Sequence, residues 1–243
     1  MFAELRAWHA RQQFDPGPLG TLVNPFYFAR RHLIFHIRQL APAVRGRVLD
    51  VGCGQKPYRR LFVCDEYVGL EPDSEGNRSE KKADVFYDGD EFPFDDHSFD
   101  TVVTFQVFEH VFNPDRFLHE IARVVKPGGM LLLTVPFVWD EHEQPIDYAR
   151  YSSFGLSHLV RMHGFEVVEF RKTLADVRVL FQLFNAYFFK MTTTRNAWIN
   201  LIVMVALMAP INIFGEVLAW LMPSNEDLFL DSIVLARRCE KHA

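Results

Sequence analysis

The residues able to do chemistry begin with a glycine turn and three carboxylates at regular intervals. The run Arg47-Val-Leu-Asp50-Val-Gly52-Cys53-Gly54 is a short apolar stretch that breaks at two glycines. It then passes Gln55, Lys56 and Pro57 into a helix expected to begin near Tyr58. A strand, a glycine loop and a helix together make a nucleotide-binding turn. Glycine at 52 and 54, with Cys53 between them, lets the backbone approach a ligand where a Cβ would collide, and the unpaired N–H groups of a helix N-terminus attract a carboxylate or phosphate. The pattern departs from the dinucleotide fingerprint because Pro57 stands where the third glycine belongs, and it lacks the Gly-Lys-Ser/Thr of a P-loop. Pyrophosphate cradling therefore loses support.

The carboxylates follow at successive strand ends, where ligands bind in open α/β sheets. Glu71, with Pro72 after it, lies 21 residues beyond Asp50, close to the interval expected of an acid that holds two ribose hydroxyls. Asp88 suits an exocyclic amine, and Gly89 beside it offers an uncluttered backbone N–H. Asp50 favours a positively charged group, such as an ammonium held directly or through water. Singly, each has a plainer reading: Asp50 as a turn residue, Glu71-Pro72 as a strand-end turn, Asp88 as an Asx turn. In order on three successive strands, they suit a ligand with an amine, a carboxylate, a ribose and an adenine.

The elements that position these residues form a regular rhythm from Arg47 onward, in which short apolar runs alternate with helical stretches, the signature of βαβ units. Strands are expected at 47–51, 67–70, 83–87, 99–104, 130–135, 165–170 and 232–236, which gives a doubly wound α/β sheet. Ahead of them, Phe26 to Leu40 reads as an amphipathic helix stopped by Pro42, covering the sheet or the ligand pocket. Asn113 to Val125 reads as a helix with an Asn cap, Pro114 in its first turn, Phe117, Leu118, Ile121 and Val124 on one face, and an end at Lys126-Pro127-Gly128-Gly129.

Composition bounds the class. The chain has 243 residues, 49% of them hydrophobic, and a net charge of −5 from 26 basic and 31 acidic residues. That is a single globular domain with a sizeable core, and the mild acidity argues against a nucleic-acid partner. The expected organisation is a helical cap at 1–46, a ligand-binding core at 47–173, an apolar helical insertion at 174–227, and a final strand and tail at 228–243. Cys53, Cys64 and Cys239 form no C-x-x-C pair and no ligand cluster, so a reducing compartment and no metal are expected. The first twenty residues, with charges at Glu4, Arg6 and Arg11, lack the apolar core of a secretory leader, and the expected location is the cytoplasm.

The insertion breaks the rhythm. Leu174 to Leu221 is helix-like and strongly apolar, and Asn196 to Gly215 runs 20 residues without a charge, the length needed to cross a bilayer. Pro210, Asn200 and Asn212 weaken a crossing, and a single span would place the last strand on the wrong side of the membrane. Two readings stand: a hairpin bent at Pro210 and buried in the domain or a homodimer interface, or a hairpin lying in the membrane interface at its inner face, with Lys190, Arg195 and Trp198 at its edge.

From Arg47 to Lys172 the sequence resembles the class I methyltransferases that use S-adenosyl-L-methionine (SAM). VLDVGCG resembles their first motif, Glu71 in YVGLEPD their ribose acid, and Asp88-Gly89 before Glu91-Phe92-Pro93-Phe94 their adenine-side motif. Phe108-Glu109-His110-Val111 resembles the L-E-H-V element, and Arg123-Val-Val-Lys126-Pro127-Gly128-Gly129 the R-V-L-K-P-G-G turn. The resemblance implies a Rossmann-like seven-stranded doubly wound sheet with helices on both faces, SAM as cofactor, and Phe105 and Gln106 against its methionine end. Lys56 departs from a frequent third glycine.

Methyl transfer by in-line displacement asks mainly for orientation and exclusion of water. The loop from Pro136 to Tyr151 is where the acceptor is expected, with His142 as general base, Arg150 for an acidic group, and Asp147, Tyr148 and Tyr151 as further contacts. His110 reads as a packing residue near the pocket. The run His142 to Ser152 resembles methyltransferases of bacterial cell-surface glycan and lipid pathways, which implies a small-molecule, glycan or lipid-linked acceptor. The rival reading is a catalytically silent SAM-binding or membrane-surface scaffold.

Overall fold

The structure, a computed structural model, describes residues 12–240. Glu4, Arg6 and Arg11, on which the argument against a leader rests, lie outside them. The chain forms two compact units. Among the described residues, one comprises 12–36, Val138–Asp140 and Lys172–Asp231; the other comprises Ile37–Phe137, Glu141–Arg171 and 232–240.

The second unit is built on a seven-stranded sheet. Its strands are β1 (Arg47–Val51), β2 (Glu66–Pro72), β3 (Val85–Tyr87), β4 (Phe99–Phe105), β5 (Val125–Pro136), β6 (Phe165–Lys172) and β7 (Asp231–Arg238). Their order is β3-β2-β1-β4-β5-β7-β6, with helices on both faces. Strands β1 to β5 pair in parallel. At the other edge the Thr173 amide donates to the Asp231 carbonyl and the Cys239 amide to the Gly164 carbonyl, both at 2.9 Å. The start of β7 thus lies at the end of β6, so this pair is antiparallel and the sheet is mixed. Val48, Leu49, Leu131, Leu132 and Leu133 are fully buried, as expected of strands covered on both faces. The order reverses between β1 and β4, and that reversal opens the crevice in which such sheets bind ligands.

The helices include α1 (Gly20–Val23), α2 (Tyr27–Leu40), α3 (Glu75–Glu80), α4 (Pro114–Val124), α5 (Ser153–Met162), α6 (Arg178–Thr192) and α7 (Ala197–Leu221). Helix α4 starts as expected, with the Asn113 side chain accepting from the Arg116 amide and Pro114 in the first turn, and it buries Phe117, Leu118, Ile121 and Val124. Three expectations need correction. No α-helix begins near Tyr58; a single 3-10 turn, Arg59–Leu61, fits between Pro57 and β2, because too few residues remain for more. Strand β5 starts at Val125 and not Met130, since Lys126-Pro-Gly-Gly129 is absorbed as a bulge that shifts the register between Phe99/Val125 and Thr101/Met130. The insertion does not turn at Pro210. It turns between α6 and α7, where Asn196 caps the Trp198 and Ile199 amides. Pro210 lies within α7 just after a π-helical stretch, Met204–Met208, which accommodates the lost hydrogen bond.

In the first unit α6 and α7 are fastened from inside by buried amides. Gln182 accepts from the Ala29 amide and donates to the Pro25 carbonyl, both at 3.0 Å. Asn185 donates to Asn212 at 2.8 Å, and Asn212 to the Thr21 carbonyl at 2.9 Å. The only charge on α7, Glu216, is paired with Arg178 at 3.1 Å.

Candidate cofactor and acceptor site

A cavity of about 590 Å³ opens at the carboxyl ends of β1, β2 and β4, within the volume range of small-molecule sites. Of the residues that the sequence marks for the cofactor, Gly52, Glu71, Pro72, Gly89 and Gln106 line it. Gly52 has φ +71°, and a Cβ there would stand 2.3 Å from a methyl of Val107, itself a lining residue. Glycine is thus required both for the backbone conformation and for the close approach. Glu71 is buried, and its Oε1 accepts from the Gly54 amide at 2.6 Å, which ties the loop to the end of β2. Burial raises the Glu71 carboxyl above its ordinary range, and the Gly54 hydrogen bond opposes that rise.

The other marked residues stand behind the wall or beside it. Asp50 is buried beneath the loop with Oδ2 accepting from the Tyr67 hydroxyl at 2.6 Å, and burial pushes its carboxyl up to about 7. Its Oδ1 has no hydrogen-bond partner among the described residues. The Cys53 thiol, pushed up to about 12 by burial and then by Asp50, packs behind the loop and is no nucleophile. Phe105 stacks with Phe62 at 6.1 Å and meets Tyr58 edge-on at 5.0 Å. Asp88 is exposed and forms the plain Asx turn, accepting from the Asp90 amide at 2.9 Å.

Lys56 takes up the left-handed conformation, φ +54°, that a glycine would adopt. Its amide donates to the Cys53 carbonyl at 2.7 Å and its ammonium pairs with Asp84, so the side chain does not enter the cavity. The departure at this position leaves the loop's path intact.

The loop after β5 is fastened onto Glu109, whose carbonyl accepts from the amides of Tyr148 (2.9 Å) and Ala149 (3.2 Å). Arg150, expected to bind an acidic acceptor, instead grips Asp147 with two hydrogen bonds of 2.5 and 2.7 Å. Asp147 is held down to about 2 chiefly by those bonds, and it also accepts from the His142 amide at 3.0 Å. His142 therefore lies between two carboxylates, with Nδ1 3.2 Å from Asp147 and Nε2 3.9 Å from Glu109. Tyr151 stacks on Phe108 at 4.8 Å in the core. Tyr148 is exposed, edge-on to Phe112 at 5.2 Å.

Sequence reasoning missed much of the wall that faces these groups. His110, Phe112, Arg116 and Glu143 line the cavity, as do Asn77 and Lys81. Of these only His110 carried a signal, through its place in the F-E-H-V run.

A methyltransferase domain family profile matches residues 49–133. A relative from Mycolicibacterium smegmatis named a probable S-adenosylmethionine-dependent methyltransferase is 32% identical over 160 residues, covering 60% of this chain and 62% of that protein. One from Mycobacterium tuberculosis with the same description is 33% identical over 118 residues, covering 45% and 43%. The chain thus spans less than two thirds of the length of either. Among solved structures, the methyltransferase in a complex with the Haloferax volcanii Trm112 activator superposes with a TM-score of 0.55 at 20% identity, over 99% of this chain and 98% of that one. Haemonchus contortus phosphoethanolamine N-methyltransferase 2, bound to S-adenosyl-L-methionine, gives 0.53 at 17% identity over 91% and 56%. At such identities the structures speak for the fold alone, which is shared with class I methyltransferases, and the segment from 49 to 133 is similar to the methyltransferase domain family.

Proposed function

We propose that the chain binds SAM in this cavity and transfers its methyl group to a small-molecule, glycan or lipid-linked acceptor presented at the loop after β5. The observation that carries the reading is the placement of a buried carboxylate, Glu71, in the cavity wall together with the bare backbone of Gly52 and with Gln106. SAM supplies a methyl group on a positively charged sulfur. Glu71 accepts from the ribose hydroxyls, while Gly52 and Gly54 let the backbone follow the methionine end. Asp50, beneath the loop, answers the ligand's ammonium through the field of its carboxylate. The aromatic wall of Phe92, Phe112 and Phe117 excludes water from the adenine side and the acceptor path.

The acceptor class is drawn from α7, a helix long and apolar enough to cross a membrane, with only 22% of its most apolar window buried. Its inward side is fastened by Asn212 and Glu216, and its outward side exposes Trp198, Ile202, Val205, Phe214, Val217 and Trp220. One polar, fastened side and one apolar, open side suit a helix lying in a membrane interface better than one surrounded by lipid. Exposed tryptophans near both ends suit the headgroup level. The chain would then work at the cytoplasmic face of a membrane, where tethering raises the effective concentration of a lipid-linked acceptor. Calorimetric titration of the purified chain with SAM and its demethylated product tests the cofactor reading. Saturable binding that is lost in Glu71→Ala supports it, and no binding by the folded protein would favour a silent scaffold.

A further inference from the structure

Three side chains beside the cavity converge on one point. Glu109 and His110 lie in the 3-10 turn Phe108–His110 after β4, and His142 is brought to them by the loop fastened on the Glu109 carbonyl. The Nε2 atoms of His110 and His142 each stand 3.9 Å from the same oxygen, Oε1 of Glu109, a fully buried carboxylate. The rings are 4.8 Å apart and steeply inclined, at 75°.

The far side of each ring fixes its tautomer. His110 Nδ1 is 2.8 Å from the Ile146 carbonyl, which can only accept, so Nδ1 carries a hydrogen and, in a neutral ring, Nε2 is the nitrogen left to bind a metal ion. His142 Nδ1 faces Asp147, an anion clamped by Arg150, and is a donor for the same reason. A carbonyl behind one imidazole and a carboxylate behind the other is the outer-shell arrangement that orients metal-binding histidines. With their far sides so engaged, both imidazoles turn Nε2 toward the same buried carboxylate oxygen.

We propose that Glu109, His110 and His142 bind a divalent first-row transition-metal ion in a site of two imidazoles and one carboxylate. The candidate ligand atoms all lie within 4.8 Å of one another. Bonds of about 2.0–2.1 Å in tetrahedral geometry put ligands roughly 3.3 Å apart, so binding draws the carboxylate and each imidazole together by roughly half an ångström and the widest ligand pair by up to about 1.5 Å. Nitrogen and oxygen donors without a thiolate suit Zn²⁺ and its neighbours over a soft ion. Glu143 Oε2, 3.9 Å from His110 Nε2, offers a further oxygen, and both residues line the cavity, so a remaining coordination position faces it. Any role for the ion in orienting an acceptor rests on the methyltransferase reading; its binding does not. The cysteine spacing led to an expectation of no metal, and this ligand set, an adjacent pair and a residue 32 positions on, has no motif spacing to reveal it.

The test uses the full chain, stripped with a chelator, dialysed and titrated with Co²⁺. The expected result is visible d–d absorption that saturates at one ion per chain and is displaced by Zn²⁺. His142→Ala and the near-isosteric Glu109→Gln should each weaken Co²⁺ binding at least tenfold, with folding followed by circular dichroism. Glu71→Ala, which should lose SAM, should keep the cobalt spectrum, so a failed cofactor site and a failed metal site give different results. A folded wild type with no saturable cobalt spectrum overturns the proposal, as do unchanged titration curves in folded His142→Ala and Glu109→Gln.

Discussion

The carboxylate of Glu71 accepts a hydrogen bond from the amide of Gly54 at 2.6 Å, so the acid at the end of β2 and the glycine loop after β1 form one connected wall of the cavity. Glu71 thus acts twice, on the loop and on the ligand. In Glu71→Ala the ribose loses a charge-assisted partner worth about 1.5–3 kcal/mol, so SAM binding should weaken by roughly 10- to 100-fold. Glu71→Gln keeps an oxygen for Gly54 and should fall between. Titration calorimetry on the three proteins checks the order, and equal affinities would place the ribose elsewhere.

Gly52 is the second point of dependence. An alanine there meets both a left-handed backbone and the Val107 methyl. The backbone alone costs about 1–2 kcal/mol. Displacing Val107, a lining residue, adds damage to the cavity. Gly52→Ala should lower both the melting temperature and SAM affinity. Adding Val107→Ala removes the collision and leaves φ at +71°, so the double variant should recover part of the loss. Full recovery would show that the backbone conformation is unimportant.

Asp50 sets a pH dependence for the free protein. Burial raises its folded carboxyl to about 7 from an ordinary 3.8. Between those values the unfolded chain has lost a proton that the folded chain retains, so this group's contribution to stability falls as pH rises. Asp50→Asn keeps an acceptor for the Tyr67 hydroxyl and carries no charge to bury. The melting temperature of the variant minus that of wild type should therefore rise from pH 4 to pH 7 and then level off. A difference flat across that range would mean that Asp50 titrates near its ordinary value in the fold. Saturating SAM should narrow the gap, because the ligand's ammonium favours the Asp50 carboxylate.

The sheet was legible because its strands are dense apolar runs punctuated by glycine, and each expected strand is present within a few residues at either end, whereas the antiparallel pairing of β7 with β6 left no mark in those runs. Element ends were less legible wherever two signals competed. Pro127 and the following glycines read as a stop, yet the chain carries them within β5 as a bulge opposite β4. Proline at 210 reads as a bend, yet the polar run before Asn196, with a side chain able to cap, ends α6 instead. For the site, Gly52 and Glu71 follow from strand order and Gln106 from the resemblance. Arg150 did not, because its partner Asp147 lies three residues away on an irregular loop with no periodicity to show which side chains meet. The convergence of His110 and His142 on Glu109 depends on that same loop.

The outward side of α7 carries the last prediction. Wild-type protein should float with phosphatidylglycerol-containing vesicles, held by apolar side chains worth about 25 cal/mol per Å² of surface withdrawn from water. Trp220 is 85% exposed and Ile202 65%, so glutamate at either position should leave the fold and its melting temperature unchanged. The double variant Ile202→Glu/Trp220→Glu should leave the vesicle fraction. Size-exclusion chromatography without vesicles separates the membrane from a second copy of the chain as the partner of this face. A wild type that stays with the soluble fraction, and elutes as a dimer which the double variant breaks, would assign α7 to self-association and remove the argument for a lipid-linked acceptor.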